Sequence, residues 1–174
     1  MPIIEIEGKT LKIHQDAFVS AQATIVGDVT IGAGSSIWPG CVVRGDFAPI
    51  TIGINSTVQD SCVLMAREGF PITIGHSSVI ESGCVIYGCY IADYVVIGQG
   101  SIIFENATIN EGCLVAPRST VEVNQVIAPR VVVKGIPAST IREMKREDLD
   151  IQILKADTYA DIFLKLKKWF KHLE

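Results

Sequence analysis

A small aliphatic residue returns every six positions along most of this chain. The series runs Val19, Ile25, Ile31, Ile37 and Val43, then Ile52, Val58, Leu64, Ile74, Ile80, Ile86, Ile91, Ile97, Ile103, Ile109, Val115, Val121 and Ile127. Glycine follows several members, as at Ile31-Gly32, Ile52-Gly53, Ile74-Gly75 and Ile97-Gly98. A hexapeptide period of this kind marks a parallel β-helix. Each hexad supplies one short strand and one turn, and neighbouring coils must stack to bury the aliphatic column. The pattern predicts a mainly β fold: a β-helix with its lead-in over residues 1–137, then a C-terminal helical segment over 138–174 packed on it.

Three hexads per triangular coil sort the column into three faces. The first holds residues 19, 37, 58, 80, 97 and 115, the second 25, 43, 64, 86, 103 and 121, and the third 31, 52, 74, 91, 109 and 127. Residues on one face become stacked strands about 4.8 Å apart. The period breaks three times, from Val43 to Ile52, from Leu64 to Ile74 and from Ile86 to Ile91. Every break follows the second face, so all three lie at one corner. Irregular loops clustered on a rigid scaffold are where solenoids place binding sites. Residues just after the column point outward, which puts Arg44, Met65, Tyr87 and Phe104 in a row beside that corner. An exposed row of this character predicts a contact surface, most simply covered by identical copies in a closed oligomer.

After Ile127 the period fades. Residues 131–137 read as a last strand and a turn. Tyr159, Ile162, Phe163, Leu166, Phe170 and Leu173 then fit one face of a helix, with Asp157 or Thr158 as its cap. Lysines at 165, 167, 168 and 171 and His172 sit near its end, where cations favour the helix dipole. The reading is an amphipathic helix packed on the solenoid, with a basic membrane-surface helix as the alternative.

Composition narrows the classes. The 174 residues suit one domain with an appendage, and the net charge of −4 speaks against a nucleic-acid partner. The chain is 48% hydrophobic, yet no run approaches the roughly 20 apolar residues of a membrane span. The first residues lack a basic region followed by an apolar core, so a cytoplasmic protein is expected. Cys41, Cys62, Cys84 and Cys113 each fall four positions after a column aliphatic, a slot otherwise held by Ala or Ser. They read as small buried residues, with Cys89 off that column.

Three stretches resemble the γ-class carbonic anhydrase family. They are Ile37-Trp-Pro-Gly-Cys-Val-Val-Arg-Gly-Asp46, Ile52-Gly-Ile-Asn-Ser-Thr-Val-Gln-Asp60 and Gly135-Ile-Pro-Ala-Ser-Thr-Ile-Arg142. The resemblance spans essentially the whole chain. It implies a left-handed β-helix, a trailing helix and a homotrimer with zinc held between subunits by three histidines. One family histidine ends a Val-Leu-His segment, which here is Val63-Leu64-Met65. The second lies in Val-Gly-His-Gly, here Ile80-Glu81-Ser82-Gly83, and the third in Leu-His-Gly-Cys, here Ile86-Tyr87-Gly88-Cys89. Met65, Ser82 and Tyr87 thus replace all three imidazoles, and such a set does not make a zinc site. No metal or other cofactor is expected. Arg44, Asp46, Gln59 and Asp60 match the family, which implies an Arg–Asp interface pair and a glutamine that orients the attacking hydroxide. Glu81 stands beside the vacated positions.

Several functions stay open at this point. The leading one is a homotrimer that has lost hydratase chemistry and acts as a binding or assembly protein, its interface pocket holding a small anion or small molecule. A mixed trimer with an active paralogue is a variant of it. The other is an enzyme: an acyltransferase of the hexapeptide-repeat class, with His76 as general base and loops 46–51 and 66–73 at the entrance, or a small-molecule enzyme that reuses the subunit-interface pocket.

Overall fold

The computed structural model describes residues 3–4 and 6–170, with side chains at 160 and 163–170 outside the description. The column falls into the three expected faces. On the first, Val19, Ile37, Val58, Ile80, Ile97, Val115 and Val133 align in register through parallel pairs. On the second, Ile25, Val43, Leu64, Ile86, Ile103 and Val121 align the same way. The third aligns Ile31, Ile52, Ile74, Ile91, Ile109 and Ile127. Their side chains fill the solenoid, most of them wholly buried. Removing this apolar surface from water is the main term that holds the coils together.

The small-residue slot has a hydrogen-bonding reason as well as a steric one. Ser56 Oγ donates to the Gly75 carbonyl at 2.7 Å and accepts from Ser78 N at 3.1 Å. Ser78 Oγ repeats the motif with Ala92 O and Val95 N. Cysteine does the same at the neighbouring corner, where Cys41, Cys62 and Cys84 donate to the carbonyls of Gln59, Glu81 and Gly98. Each side chain satisfies a turn carbonyl of the next coil, which buried backbone requires. All five cysteines are unbridged and buried. Burial pushes the Cys89 thiol up, and hydrogen bonding from Cys41 and Cys84 together with burial does so for Cys62.

Two features depart from the sequence reading. The break between Val43 and Ile52 is not a loop: Val42–Ile52 is one strand that runs through the corner and pairs with Thr24–Ile31, absorbing the extra residues in a register shift. Residues 46–51 therefore form a strand wall. The bend needs backbone to approach backbone closely, since a Cβ on Gly45 would run into the Asp28 carbonyl. Next, residues 138–143 are not helical. Ala138–Glu143 is a strand that returns antiparallel along Val131–Gly135, after a turn with a cis Ile136–Pro137 bond. It pairs the exposed edge of the last coil.

The helix α1 spans Arg146–Phe170 and starts well before the expected cap, so Asp157 and Thr158 lie inside it. Its first turn is closed by Asp148, which accepts from Lys145 N at 2.9 Å and pairs with both terminal nitrogens of Arg142. That is the capping geometry of an acidic residue at the third helical position. Gln152, Ala156 and Tyr159 face the solenoid: Gln152 Nε2 donates to Cys113 O, Ala156 packs with Val79 and Val96, and Tyr159 meets Trp38 edge-on at 5.9 Å. Ile162 stays partly exposed, and the side chains of Phe163, Leu166, Phe170 and Leu173 lie outside the described residues, as do those of the basic cluster. Among the described residues, no helix is long and apolar enough to cross a membrane.

Candidate functional site

The strand register builds the outward row beside the irregular corner. Arg44 pairs in register with Met65, and Met65 with Tyr87, on successive coils. Phe104 follows on the next coil and stacks on Tyr87, ring centroids 5.8 Å apart. Arg44 Nη2 binds Asp46 Oδ2 at 2.5 Å, while Asp46 Oδ1 is buried with no hydrogen-bond partner among the described residues.

The insertion after Leu64 is a tight hairpin. Arg67 and Phe70 exchange two backbone hydrogen bonds, of 3.1 and 2.8 Å. Gly88 admits it, because a Cβ there would run into Phe70. The hairpin holds Arg67 over the Tyr87 ring, 5.1 Å from its centroid, with Nε 3.0 Å from Glu105 Oε1. A pocket of 580 Å³ opens beside it, walled by Phe47, Met65, Phe70 and Val123.

The remaining predicted residues sit on the first face. Gln59 Oε1 accepts from both Ser82 N and Ser82 Oγ at 3.2 Å, and its Nε2 is buried without a partner among the described residues. Glu81, nearly buried, accepts from Gln99 N at 3.0 Å and pairs with Lys155 of α1. Asp60 is exposed, and its carbonyl accepts from Gly83 N. One chain therefore brings Met65 and Tyr87 together on one face but leaves Ser82 in the turn that follows Val79–Ile80 on the adjoining face.

The residues do not fit a zinc ion. A thioether, a serine hydroxyl already given to Gln59, and a phenol stacked on Phe104 are poor donors for a borderline cation. The Arg67 guanidinium over Tyr87 adds a fixed positive charge where a divalent ion would need negative ones.

His76 is exposed in a turn on the far side of the coil. Its Nδ1 accepts from Ile54 N at 2.8 Å, and its own backbone N–H donates to Asp93. With the Nδ1 lone pair committed, neutral imidazole carries its proton on Nε2 and has no free basic nitrogen.

Sequence reasoning did not single out Arg67, Glu105 or Lys155. Arg67 lies within the flagged insertion, so its location was signalled but its partner was not. Lys155 reaches Glu81 across 74 positions, and no period links them.

Stacked coils of three six-residue repeats each, with a trailing helix, define a hexapeptide-repeat protein. Residues 10–45 match the family model described as "Bacterial transferase hexapeptide (six repeats)". The chain is 42% identical over 137 residues, 79% of its length and 86% of the relative's, to a Methanocaldococcus jannaschii protein named "Probable carbonic anhydrase". It is 39% identical over 147 residues to a carbonic anhydrase of Geobacillus kaustophilus, covering 84% of this chain and 81% of the relative. The protein belongs to the γ-class carbonic anhydrase-like family. Its left-handed β-helix is similar, with a TM-score of 0.91 at 32% identity over 99% of both chains, to the crystal structure of a Bacillus cereus protein described as a candidate acetyltransferase.

Proposed function

We propose that this chain forms a γ-carbonic-anhydrase-like homotrimer in the cytoplasm whose interface site no longer carries zinc. It works as a binding or assembly protein and not as a hydratase. The observation that carries the reading is the state of the three ligand positions. Met65 lines an apolar pocket, Tyr87 stacks on Phe104 with Arg67 over its ring, and Ser82 is tied to Gln59. Without a bound metal, no agent lowers the pKa of a water to about 7.

Retention of Arg44, Asp46, Gln59 and Asp60 fits an interface role. Asp46 Oδ1 and Gln59 Nε2 are buried and unpaired within the described chain, and a partner's surface can satisfy them. Phe47, Phe70 and Val123 are exposed along the same corner and line its pocket, which supports binding of an apolar group there. The test is CO₂ hydration by the protein after dialysis against zinc, with sedimentation of the same sample. A trimer with hydration no faster than buffer is expected. A rate that rises with bound zinc contradicts the reading.

An acyltransferase reading is supported by the match to the transferase hexapeptide family model and by the Bacillus cereus likeness. The commitment of His76 Nδ1 to the Ile54 N–H weighs against its proposed base. Acetyl-CoA turnover with an acceptor panel, abolished by His76→Ala, would restore that reading.

A further inference from the structure

The corner pocket contains a guanidinium held in place without the use of its two terminal nitrogens. Arg67 is fixed from one side by Glu105 at Nε and from below by the Tyr87 ring. Among the described residues, no side-chain hydrogen bond takes Nη1 or Nη2, and the contact with Glu105 is made at Nε. The rest of the lining is mostly hydrocarbon, from Phe47, Met65, Phe70 and Val123. A volume of 580 Å³ lies within the range of small-molecule pockets.

We infer that this pocket binds a small organic monocarboxylate with an apolar body. The carboxylate accepts a forked pair of hydrogen bonds from Arg67 Nη1 and Nη2, and the body lies against Met65 and Phe70. The inference rests on the proposal that zinc is absent from this corner.

Charge and geometry select this class. A guanidinium fork matches the two oxygens of a carboxylate. A neutral hydrocarbon would leave the terminal nitrogens facing an apolar ligand, a desolvation cost with no return. A phosphate dianion fits less well, because Glu68 and Glu105 also line the pocket. Glu105 engages Arg67 at Nε, on the side away from the terminal fork, and Glu68 is exposed on the hairpin, where water screens it. Arg44, in register with Met65 one strand away, adds positive potential while remaining paired with Asp46. The fork is pre-organised: the hairpin is closed by its own backbone bonds, and Phe70 is seated against Gly88. Little ordering remains to be done on binding.

The experiment is calorimetric titration of the full-length protein, in its native assembly, with hexanoate and 3-phenylpropanoate. The matching amides serve as neutral isosteres, and zinc is measured on the same preparation. The acids should bind about tenfold or more tighter than their amides, as expected for a charge-assisted pair. Arg67→Gln should bring each acid down to its amide and leave the amide unchanged. Phe70→Ala should weaken acid and amide alike. If Arg67→Gln does not fold, Arg67→Lys keeps the charge, loses the fork and should fall between. Equal binding of acid and amide, an acid affinity unmoved by Arg67→Gln, or no binding of any probe at millimolar concentration each overturns the inference. Stoichiometric zinc, with acid binding lost on chelation, would instead overturn the proposal it rests on.

Discussion

Lys155 is the one described ammonium that ties α1 to the turn beside Ser82, so its removal tests how the helix is coupled to the candidate site. Lys155→Met would leave the Glu81 carboxylate with the Gln99 N–H as its remaining donor. The Glu81 side chain is 12% exposed and that of Lys155 36%. Breaking a fully buried pair costs about 3–5 kcal/mol, whereas an exposed pair is worth about 1 kcal/mol or less. Partial exposure of the lysine places this pair between those limits, at about 1–2 kcal/mol. For a chain of this length that lowers Tm by about 3–6 °C. Glu81→Gln should cost less, because the ammonium it strands can turn to water. In the double variant, Lys155→Met should then add no more than about 0.5 kcal/mol, since no buried charge remains to be stranded. The assay is urea unfolding followed by helix ellipticity, at one fixed protein concentration because assembly contributes to apparent stability. Purely additive costs in the three variants would refute the coupling, as would a Lys155→Met protein as stable as the wild type.

Three further outcomes follow from the packing. Leu64→Ala empties a wholly buried position and should cost about 2–5 kcal/mol in urea unfolding, whereas Val126→Ala, at 67% exposure, should stay within about 0.5 kcal/mol. An aromatic disulfide reagent should titrate none of the five buried cysteines in the native protein and all five in guanidinium, while Cys62→Ser keeps the donor to Glu81 O and folds normally. The Asp148 carboxyl is held at about 2, against an ordinary 3.8, by Arg142 and then by Lys145 N–H, so its support for the start of α1 is complete above about pH 4 and lost as pH falls through 2. Nuclear magnetic resonance titration of that carboxyl checks the value, and a midpoint near 4 would contradict the pairing.

The solenoid was legible because one constraint repeats. Each column aliphatic must lie over the one a coil earlier, so spacing alone assigns Leu64 and Ile86 to one face and predicts the pairing of Met65 with Tyr87. The corner was legible as a location for the same reason. What fills it was not. Residues 46–51 were expected as a loop because the period breaks there, yet Val42–Ile52 continues as strand, since close glycine backbones let it bend without losing its partner. The strand Ala138–Glu143 carries no hexad signal because it runs antiparallel and belongs to no coil. The start of α1 was placed too late because its cap comes from Asp148 reaching back to Lys145, inside a run of charges that shows no apolar face. Contacts such as Arg67 with Glu105 and Lys155 with Glu81 depend on chain closure in space, which no local pattern encodes.

The central claim is that Met65, Ser82 and Tyr87 stand where the family holds its metal and do not bind it. The most direct test is zinc stoichiometry by equilibrium dialysis, for the wild type beside a Met65→His, Ser82→His, Tyr87→His variant. The account predicts no bound zinc for the wild type and about one ion per subunit interface for the variant. One tightly held zinc per interface in the wild type would contradict it.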